Sequence, residues 1–273
     1  TINESIDKLN CDLATVSTWA ANFGLALNPS KTQAIIIGHK RLVNSLNNSN
    51  LSVVTLNNTL IPYSFVVKNI GFFFDNNLSW NFQVKETIKK ICSSIHCLSR
   101  LRNFLPQQLK LTLVQTLVMP HFDYCDVLLS DLSSELSVKL QRAQNMCVRY
   151  VCNIRRYDHI SPSFASLSWL RLKERRTLHS LSLLFRILHT STPNYLSSRF
   201  SYLYSNHDVN TRSLICGTLS IPLHRTSCYS SSFTISTSRQ WNSLSQSIRG
   251  CKTINTFKNS LKDNLISISL QSY

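Results

Sequence analysis

Two carboxylates stand close together near the middle of the chain, in the segment Asp123-Tyr124-Cys125-Asp126. Paired carboxylates are the groups with which enzymes hold divalent metal ions that activate a hydroxyl and stabilise a leaving group. Here the pair follows Pro120-His121, at the break of a helical pattern, and not the tight turn of a strand hairpin. We therefore predict a structural or surface role for both aspartates and no metal site.

Cysteine and histidine supply the other candidate metal ligands. The nearest approach to a zinc pattern is Cys216, His224 and Cys228 with the distant Cys251, and its spacings match no common zinc site. The nine cysteines are odd in number and include no Cys-x-x-Cys. This usage is typical of reduced thiols, so we predict an intracellular protein, nuclear or cytoplasmic, with no metal bound by this chain.

Charge is the strongest compositional signal. The chain carries a formal net charge of +16, and residues 137–273 hold 18 Lys and Arg against 4 Asp and Glu. Residues 1–136 are nearly balanced, with 11 against 9. A basic half favours a polyanionic partner, most plausibly RNA, DNA or an RNA–DNA hybrid. The alternative is a soluble cationic surface without a specific partner.

Basic side chains also recur along three predicted helices, each on a side away from the apolar stripe. The three sets are Lys85, Lys89 and Arg100; Arg142, Arg149 and Arg156; and Arg171, Arg175 and Arg186. Long cationic side chains one or two helical turns apart can meet successive phosphates. Such stripes are also found on helix faces that are merely solvated, and this alternative stays open.

The elements that would position these residues change in type along the chain. Apolar residues at helical spacing predict a helix over 2–22, stopped by Gly24. Strands are predicted at 34–37 and 69–74, with a hairpin of 51–56 and 59–67 about Asn57-Asn58. Alternation within the last strand places Phe73 opposite Phe72 and Phe74.

From residue 81 onward helical periodicity replaces alternation. Helices are predicted at about 81–101, 107–118, 135–154 and 170–188, and Pro120 interrupts the pattern after the second. A linker is predicted at 191–208, short strands at 214–221 and 232–235, and closing helices at 238–248 and 255–266. No apolar run approaches the roughly 20 residues of a membrane span, so we predict no membrane partner. Because the first residue is Thr1, we expect a fragment of a longer reading frame.

Two segments and their separation carry a family resemblance. The first segment is Gly24-Leu25…Asn28…Lys31-Thr32, and the second is Asn69-Ile70-Gly71-Phe72. Together they resemble the end of the palm and the start of the thumb in reverse transcriptases of non-LTR (LINE-like) retrotransposons. Pro120-His121…Asp123-Tyr124-Cys125 and Arg239-Gln240-Trp241-Asn242 are similar to later parts of the same reading frames. The family's aromatic-x-Asp-Asp tetrad does not occur in this sequence.

The resemblance implies roles for particular residues. Lys31 matches a lysine proposed to protonate the departing pyrophosphate, which is reasonable chemistry for a lysine near a phosphate. Gly71 and Phe72 match the primer grip, and the later helices match a thumb that grips a duplex. Mg²⁺ is expected for the full-length enzyme, whose catalytic aspartates, with the fingers and the rest of the palm, would precede Thr1.

These observations predict an α+β fold, mainly α, with a small antiparallel palm-derived sheet followed by a helical thumb and a basic helical extension. The expected parts are a palm remnant (1–80), thumb-like helices (81–132), a basic helical region (133–190) and a C-terminal extension (191–273). The function expected is a nucleic-acid-binding fragment of an RNA-directed DNA polymerase that is inactive alone. The alternatives are a domesticated, non-catalytic nucleic-acid-binding module and a purely structural helical domain.

Overall fold

The computed structural model describes residues 1–46, 51–203 and 217–271, with side chains to residue 268. The chain forms two compact units, Thr1–Glu86 and Thr87–Tyr273. The first unit holds two small antiparallel sheets, and the second consists of helices. The fold is therefore mainly helical, as predicted. The finer division into four functional parts stays a prediction. The first three residues of the predicted strand 214–221, which include Cys216, lie outside the described residues.

Helix α1 (Ile2–Asn22) opens the first unit and has the predicted bounds. Thr1 and Glu4 cap its N-terminus reciprocally: the Thr1 side chain accepts from the Glu4 N–H, and the Thr1 amino group donates to the Glu4 carboxylate at 2.8 Å. At the other end, Gly24 has φ +70°, a left-handed conformation that costs glycine little. The cap and the glycine explain why both ends could be read from sequence.

Two hairpins follow. Strands β1 (Val54–Leu56) and β2 (Thr59–Ile61) pair through Asn57-Asn58, and β3 (Val66–Asn69) and β4 (Phe72–Asp75) pair through Ile70-Gly71. Each turn has positive φ at both central residues, which matches the twist of the flanking strands. The turn of the first hairpin, at Asn57-Asn58, was predicted correctly.

Three details of the predicted strands were wrong. The expected strand 59–67 is divided, because β2 ends immediately before Pro62, which has no N–H for the ladder. The expected strand 69–74 contains the turn at Ile70-Gly71. Residues 34–37 contribute a single parallel bridge, between Ala34 and Tyr63, and no regular strand.

Helix α1 packs on the first hairpin. Ile6 lies in a small core with Val54, Leu56 and Ile61, all at most 5% exposed. Asn10 joins the helix to the strand edge, since its side chain donates to the Val53 carbonyl at 3.0 Å and accepts from the Thr55 N–H at 3.0 Å. This unit also contains a 3₁₀ turn (Pro29–Lys31) and α2 (Lys40–Leu46).

The loop after β4 is built around the carboxylate of Asp75, which is 5% exposed. It accepts hydrogen bonds from the backbone N–H groups of Asn77, Ser79 and Trp80 and from the Ser79 hydroxyl, at 2.8–3.1 Å. Four donors satisfy the buried charge and fix the chain direction at the start of α3. The aspartate is thus a structural group of this turn.

Helix α3 (Asn81–Ser99) crosses from the first unit into the second. The helices that follow are α4 (Gln107–Leu117), α5 (Met119–Asp123), a 3₁₀ turn (Asp126–Leu129), α6 (Ser134–Cys152), α7 (Ser161–Ser166), α8 (Leu172–Thr190), α9 (Asn194–Ser197), α10 (Ser227–Ser230), α11 (Phe233–Ser243), α12 (Gln246–Arg249) and α13 (Ile254–Gln271). Residues 81–190 contain no strand, which confirms the predicted change of structural type. No helix in the described part of the chain is long and apolar enough to cross a bilayer.

A core in the second unit joins α8, α11 and α13. Its buried side chains are Leu181, Leu184, Phe185, Leu219, Trp241, Ile248, Phe257 and Leu261. The amide of Asn242 bonds both the N–H and the carbonyl of Leu219, and the Trp241 Nε1–H donates to the Gly217 carbonyl. The predicted strand 232–235 is wrong: these residues lead into α11, whose Ile235 is wholly buried.

Candidate nucleic-acid interface

A cleft of about 400 Å³ opens in the second unit beside the C-terminal parts of α3 and α6. Its lining includes two arginines predicted from the sequence, Arg149 and Arg156, together with His96 and Arg102. The remaining lining residues are Cys92, Ile95, Ser99, Met146, Tyr150 and Ile154. The cleft is therefore lined by both basic and apolar side chains.

The end of α6 forms one wall of this cleft. Asn153 stops the helix in a left-handed conformation (φ +54°), and its N–H bonds the Arg149 carbonyl. Asparagine tolerates this conformation better than most residues. Its side-chain oxygen accepts from Arg102 Nε at 3.2 Å and from Lys110 Nζ at 2.9 Å. Two cations thus lie at a helix C-terminus, where the macrodipole favours positive charge.

Lys110 is 2% exposed, which is unusual for a lysine. Besides the Asn153 oxygen, its ammonium lies 5.8 Å from the ring centroid of Tyr150, whose π-face attracts a cation. Burial raises the pKa of Tyr150, and its hydroxyl donates to the Leu98 carbonyl at 3.1 Å. The contacts of Lys110 with Asn153 and Tyr150 stabilise the part of α6 that lines the cleft.

Arg149 shapes the rim. Its Nη1 donates to the carbonyls of Arg155 at 3.1 Å and Asp158 at 3.2 Å, while the Arg155 N–H bonds the Asp158 carboxylate. This arginine therefore holds the loop after α6 in place. The loop carries Arg156, an exposed side chain whose guanidinium lies 5.9 Å from the ring of the exposed Tyr157.

The electrostatics of the cleft are one-sided. The described residues that line it include no carboxylate. The ion pairs among the described residues are Thr1–Glu4, Glu135–Lys139, Asp123–Arg175 and Asp126–His179, and none includes a side chain of the cleft. Arginines held by neutral groups keep their full charge available to a ligand, and planar guanidinium groups suit phosphate oxygens.

A second basic cluster in the same unit is arranged differently. Arg175 on α8 makes a two-pronged ion pair with Asp123, one prong of which measures 2.6 Å from Nη2 to Oδ2. This hydrogen bonding raises the pKa of Arg175. One turn on, His179 Nδ1 lies 2.6 Å from Asp126 Oδ2. Asp123, at the end of α5, and Asp126, at the start of the following 3₁₀ turn, thus connect α8 to this part of the chain.

Asp123, Asp126 and His179 place one potential metal ligand each within 4.8 Å of the others. Both oxygens of Asp123 are nevertheless occupied by the guanidinium of Arg175, and a cation would have to displace it. Arg176 adds positive charge here: burial lowers its pKa, and attraction to Asp126 opposes that shift. The cluster does not fit Mg²⁺, and we assign no metal to it.

The three basic stripes need correction. Arg100 and Arg156 follow the ends of α3 and α6, and Arg171 precedes the first residue of α8, so none of them lies within a helix. Arg171 instead lies 5.1 Å from the Phe164 ring and donates to Ser161. Arg175 is held by Asp123. The exposed members of the predicted set are Lys85, Lys89, Arg100, Arg142, Arg156 and Arg186.

The candidate residues of the first unit, Lys31, Gly71 and Phe72, differ in exposure and in the kind of element that holds them. Lys31 is exposed at the end of the 3₁₀ turn, and Gly71 occupies the β3–β4 turn with φ +81°. Phe72 is 2% exposed and packs with Phe74 and Trp80, at 5.2 and 5.9 Å between ring centroids. Its assignment as a nucleic-acid contact is corrected, because its ring is core. Phe73 lies on the other face, beneath Lys68.

Arg102 and Lys110 were not predicted from the sequence. Nothing local marks either residue, since both meet Asn153 across more than 40 residues. Comparison of the chain with protein-family models, curated proteins and solved structures gives no match.

Proposed function

We propose that this chain binds the sugar–phosphate backbone of RNA, DNA or an RNA–DNA hybrid through the cleft of the second unit. The observation that carries the proposal is the gathering of Arg102, Arg149, Arg156 and His96 around one opening whose described lining includes no carboxylate. Such an arrangement attracts phosphates and lacks the acidic groups that would hold its cations internally.

The shape of the cleft supports a backbone ligand. Asn153 holds the Arg102 guanidinium, and Arg149 holds the loop that carries the exposed Arg156. Met146, Tyr150 and Ile154 offer an apolar floor against which sugars can rest. Contacts of this kind position a nucleic acid without reading its bases, so binding would be insensitive to sequence.

In this proposal the parent protein is a retrotransposon reverse transcriptase, and the chain supplies the end of the palm, a thumb and a basic extension. The support is the sequence resemblance at Gly24–Thr32, Asn69–Phe72 and Arg239–Asn242. The metal-binding aspartates would lie upstream of Thr1, and Mg²⁺ would supply the charge stabilisation of phosphoryl transfer there. With Mg²⁺, primer-template and nucleotides, we expect this chain alone to extend no primer; clean extension would contradict that.

The rival functions make different predictions. A domesticated nucleic-acid-binding module would share the cleft and its binding, and would differ in lacking any upstream segment with paired aspartates. A purely structural helical domain would show no salt-dependent binding. Reading the frame upstream of Thr1 separates the first two, and a binding assay separates both from the third.

The binding assay is the direct test. Fluorescence anisotropy of a labelled RNA–DNA hybrid is measured over 50 to 200 mM KCl for the full chain and for an Arg102→Gln/Arg156→Gln variant. If six to ten phosphates are contacted, affinity should fall roughly 10³–10⁵-fold across this range. The variant should lower the slope of log K against log salt by about two, one for each lost phosphate contact.

A matched control removes the same charge elsewhere. The Lys139→Gln/Lys262→Gln variant changes two exposed lysines outside the cleft, one of them already paired with Glu135. We expect its slope to stay near that of the unchanged chain. If the cleft variant and the control bind alike, the cleft is not the interface.

A further inference from the structure

A second cavity, of about 230 Å³, lies in the second unit beside α8, α11 and α12. It is lined by His189, Tyr202, Gly217, Trp241, Gln246, Arg249 and Gly250. None of these residues belongs to the basic cleft, and the inference drawn from them is independent of nucleic-acid binding.

The Arg249 side chain in the lining of this cavity makes no ion pair with any described residue. Arg249 Nε and Nη1 are buried, and they make no hydrogen bond with any group in the described part of the chain. A buried, unbonded N–H of a charged group is expensive, and native structures satisfy the great majority of such donors. Arg175, the comparable arginine on α8, has Asp123.

The neighbours of Arg249 are not placed to satisfy it. The His189 ring stacks on Phe185, 3.8 Å between centroids, and its Nδ1 lies 2.9 Å from the Phe185 carbonyl. A carbonyl can only accept, so Nδ1 carries a proton and the outer nitrogen remains for another partner. Trp241 Nε1–H donates to Gly217.

The described lining residues include no carboxylate, and the formal charge among them is the positive charge of Arg249. It is also aromatic, with Trp241, Tyr202 and His189 around the space. At Gly250 an added Cβ would lie 3.2 Å from the Gln246 carbonyl, so the backbone passes close to its neighbour beside the cavity. Cationic donors among aromatic walls are the usual features of a small-ligand pocket.

We propose that this cavity is a binding site for a small molecule bearing an oxyanion, a phosphate monoester or a carboxylate, which is held by the Arg249 guanidinium. The anionic oxygens accept the buried N–H groups, and the aromatic side chains contact the body of the ligand. Guanidinium pairs with both kinds of oxyanion through charge-assisted hydrogen bonds. The site is separate from the cleft and would bind its ligand whether or not nucleic acid is present.

The test is thermal unfolding of the full chain in inorganic phosphate, in acetate and in chloride at equal ionic strength. We expect phosphate or acetate to raise the Tm of the unchanged chain by about 5 °C when the ion is near 100 times its Kd. The Arg249→Met variant should lose this response. Phosphate stabilises proteins generally by exclusion from their surface, so the difference between the two chains is the measured quantity.

Two further variants keep the result interpretable. Arg225→Met removes an exposed arginine of the same unit and should respond as the unchanged chain does. Arg249→Lys keeps the charge but not the planar fork, and should show a weakened response; it replaces Arg249→Met if that variant does not fold. A response to phosphate alone identifies a phosphate monoester as the ligand class, and a response to acetate alone a carboxylate.

The proposal is overturned if neither anion stabilises the unchanged chain more than Arg249→Met. It is overturned equally if Arg225→Met loses the response to the same extent, because the effect would then be one of general charge. Calorimetric titration of phosphate and of acetate into the unchanged chain must show saturable binding of at least one of them, and absence of heat for both would count against the site.

Discussion

Two groups of arginines in the second unit have the same chemistry and opposite surroundings. On α8, Arg175 faces Asp123, and the neighbouring His179 faces Asp126. In the cleft, Arg102 and Arg149 are held by an amide oxygen and by backbone carbonyls, and Arg156 extends to solvent. A carboxylate neutralises an arginine for structural use, whereas a neutral acceptor orients it and leaves its charge for a ligand.

The largest expected effect comes from breaking the paired group. Asp123→Ala leaves the Arg175 guanidinium partly buried without a partner, and we expect a loss of about 2–3 kcal/mol in the free energy of unfolding. The estimate is below that for a fully buried pair because both side chains keep somewhat more than a quarter of their exposure. Urea denaturation measures it, and hybrid binding should be unchanged.

The double variant Asp123→Leu/Arg175→Met serves as its control. Removing both charges leaves no uncompensated ion, so most of the lost stability should return. If the double variant is as unstable as Asp123→Ala, the loss arises from packing and not from an orphaned charge.

The second prediction concerns Lys110, which is intermediate between the two groups because it is buried but bonded to a neutral oxygen. Asn153→Ala removes that oxygen and forces a left-handed alanine, at a cost of about 2–3 kcal/mol. Asn153→Gly removes the oxygen alone, and should cost about 1 kcal/mol. An Asn153→Gly variant as stable as the unchanged chain would show that Lys110 does not depend on the amide, and equal losses in the two variants would show that the left-handed backbone costs alanine nothing here.

The third prediction concerns an arginine of the cleft, where we expect binding to change and stability to stay the same. Arg156→Gln should weaken hybrid binding by about 2- to 5-fold at 100 mM salt, corresponding to one lost phosphate contact. Its midpoint in urea should stay the same, because Arg156 has no hydrogen bond within the described chain. If Arg156→Gln lowers stability as well as affinity, Arg156 has a structural role like that of Arg175, and the proposed difference between paired and available arginines is wrong.

The last prediction concerns the pH dependence of stability that arises from Cys147, a buried residue of α6. Burial raises the pKa of Cys147 to about 12, from 9.0 in an unfolded chain. The folded state therefore keeps a proton that the unfolded state loses, and stability is complete below pH 9 and falls as the pH rises toward 12. We expect Cys147→Ala to show a shallower loss between pH 8 and 10.

The comparison is made in urea at each pH, and the other titrating groups cancel between the two chains. A thiol reagent gives a second measurement: at pH 8 it should modify the exposed Cys92 of the cleft before the wholly buried Cys147. Identical pH profiles in the two proteins would mean that Cys147 is not the group responsible.

Sequence patterns predicted what depends on neighbours along the chain. The capping box at Thr1, the Gly24 stop and the Asn57-Asn58 turn are local signals, and the elements they bound were predicted closely. Helical periodicity predicted α6 but extended it to Ile154, because nothing in the spacing shows that Asn153 turns left-handed.

What could not be predicted depends on distant pairs. The ion pair of Arg175 spans 52 residues and the bond from Arg102 to Asn153 spans 51. From the sequence both arginines are equivalent cations, and only the fold shows which one meets a carboxylate. The segment 232–235 reads as a strand because it contains Phe, Thr and Ile, but burial of Ile235 against the helical core decides for α11.

The two hairpins of the first unit differ in their turns, and this has a consequence for the order in which they form. Asn57-Asn58 adopts left-handed angles readily, whereas Ile70 (φ +47°) is a β-branched residue in the same conformation, and 86% of it is exposed. Hairpins close in about 1–10 μs, and a turn that resists closure slows that step. We expect β1–β2 to pair first and β3–β4 to follow once Phe72 and Phe74 can collapse onto Trp80.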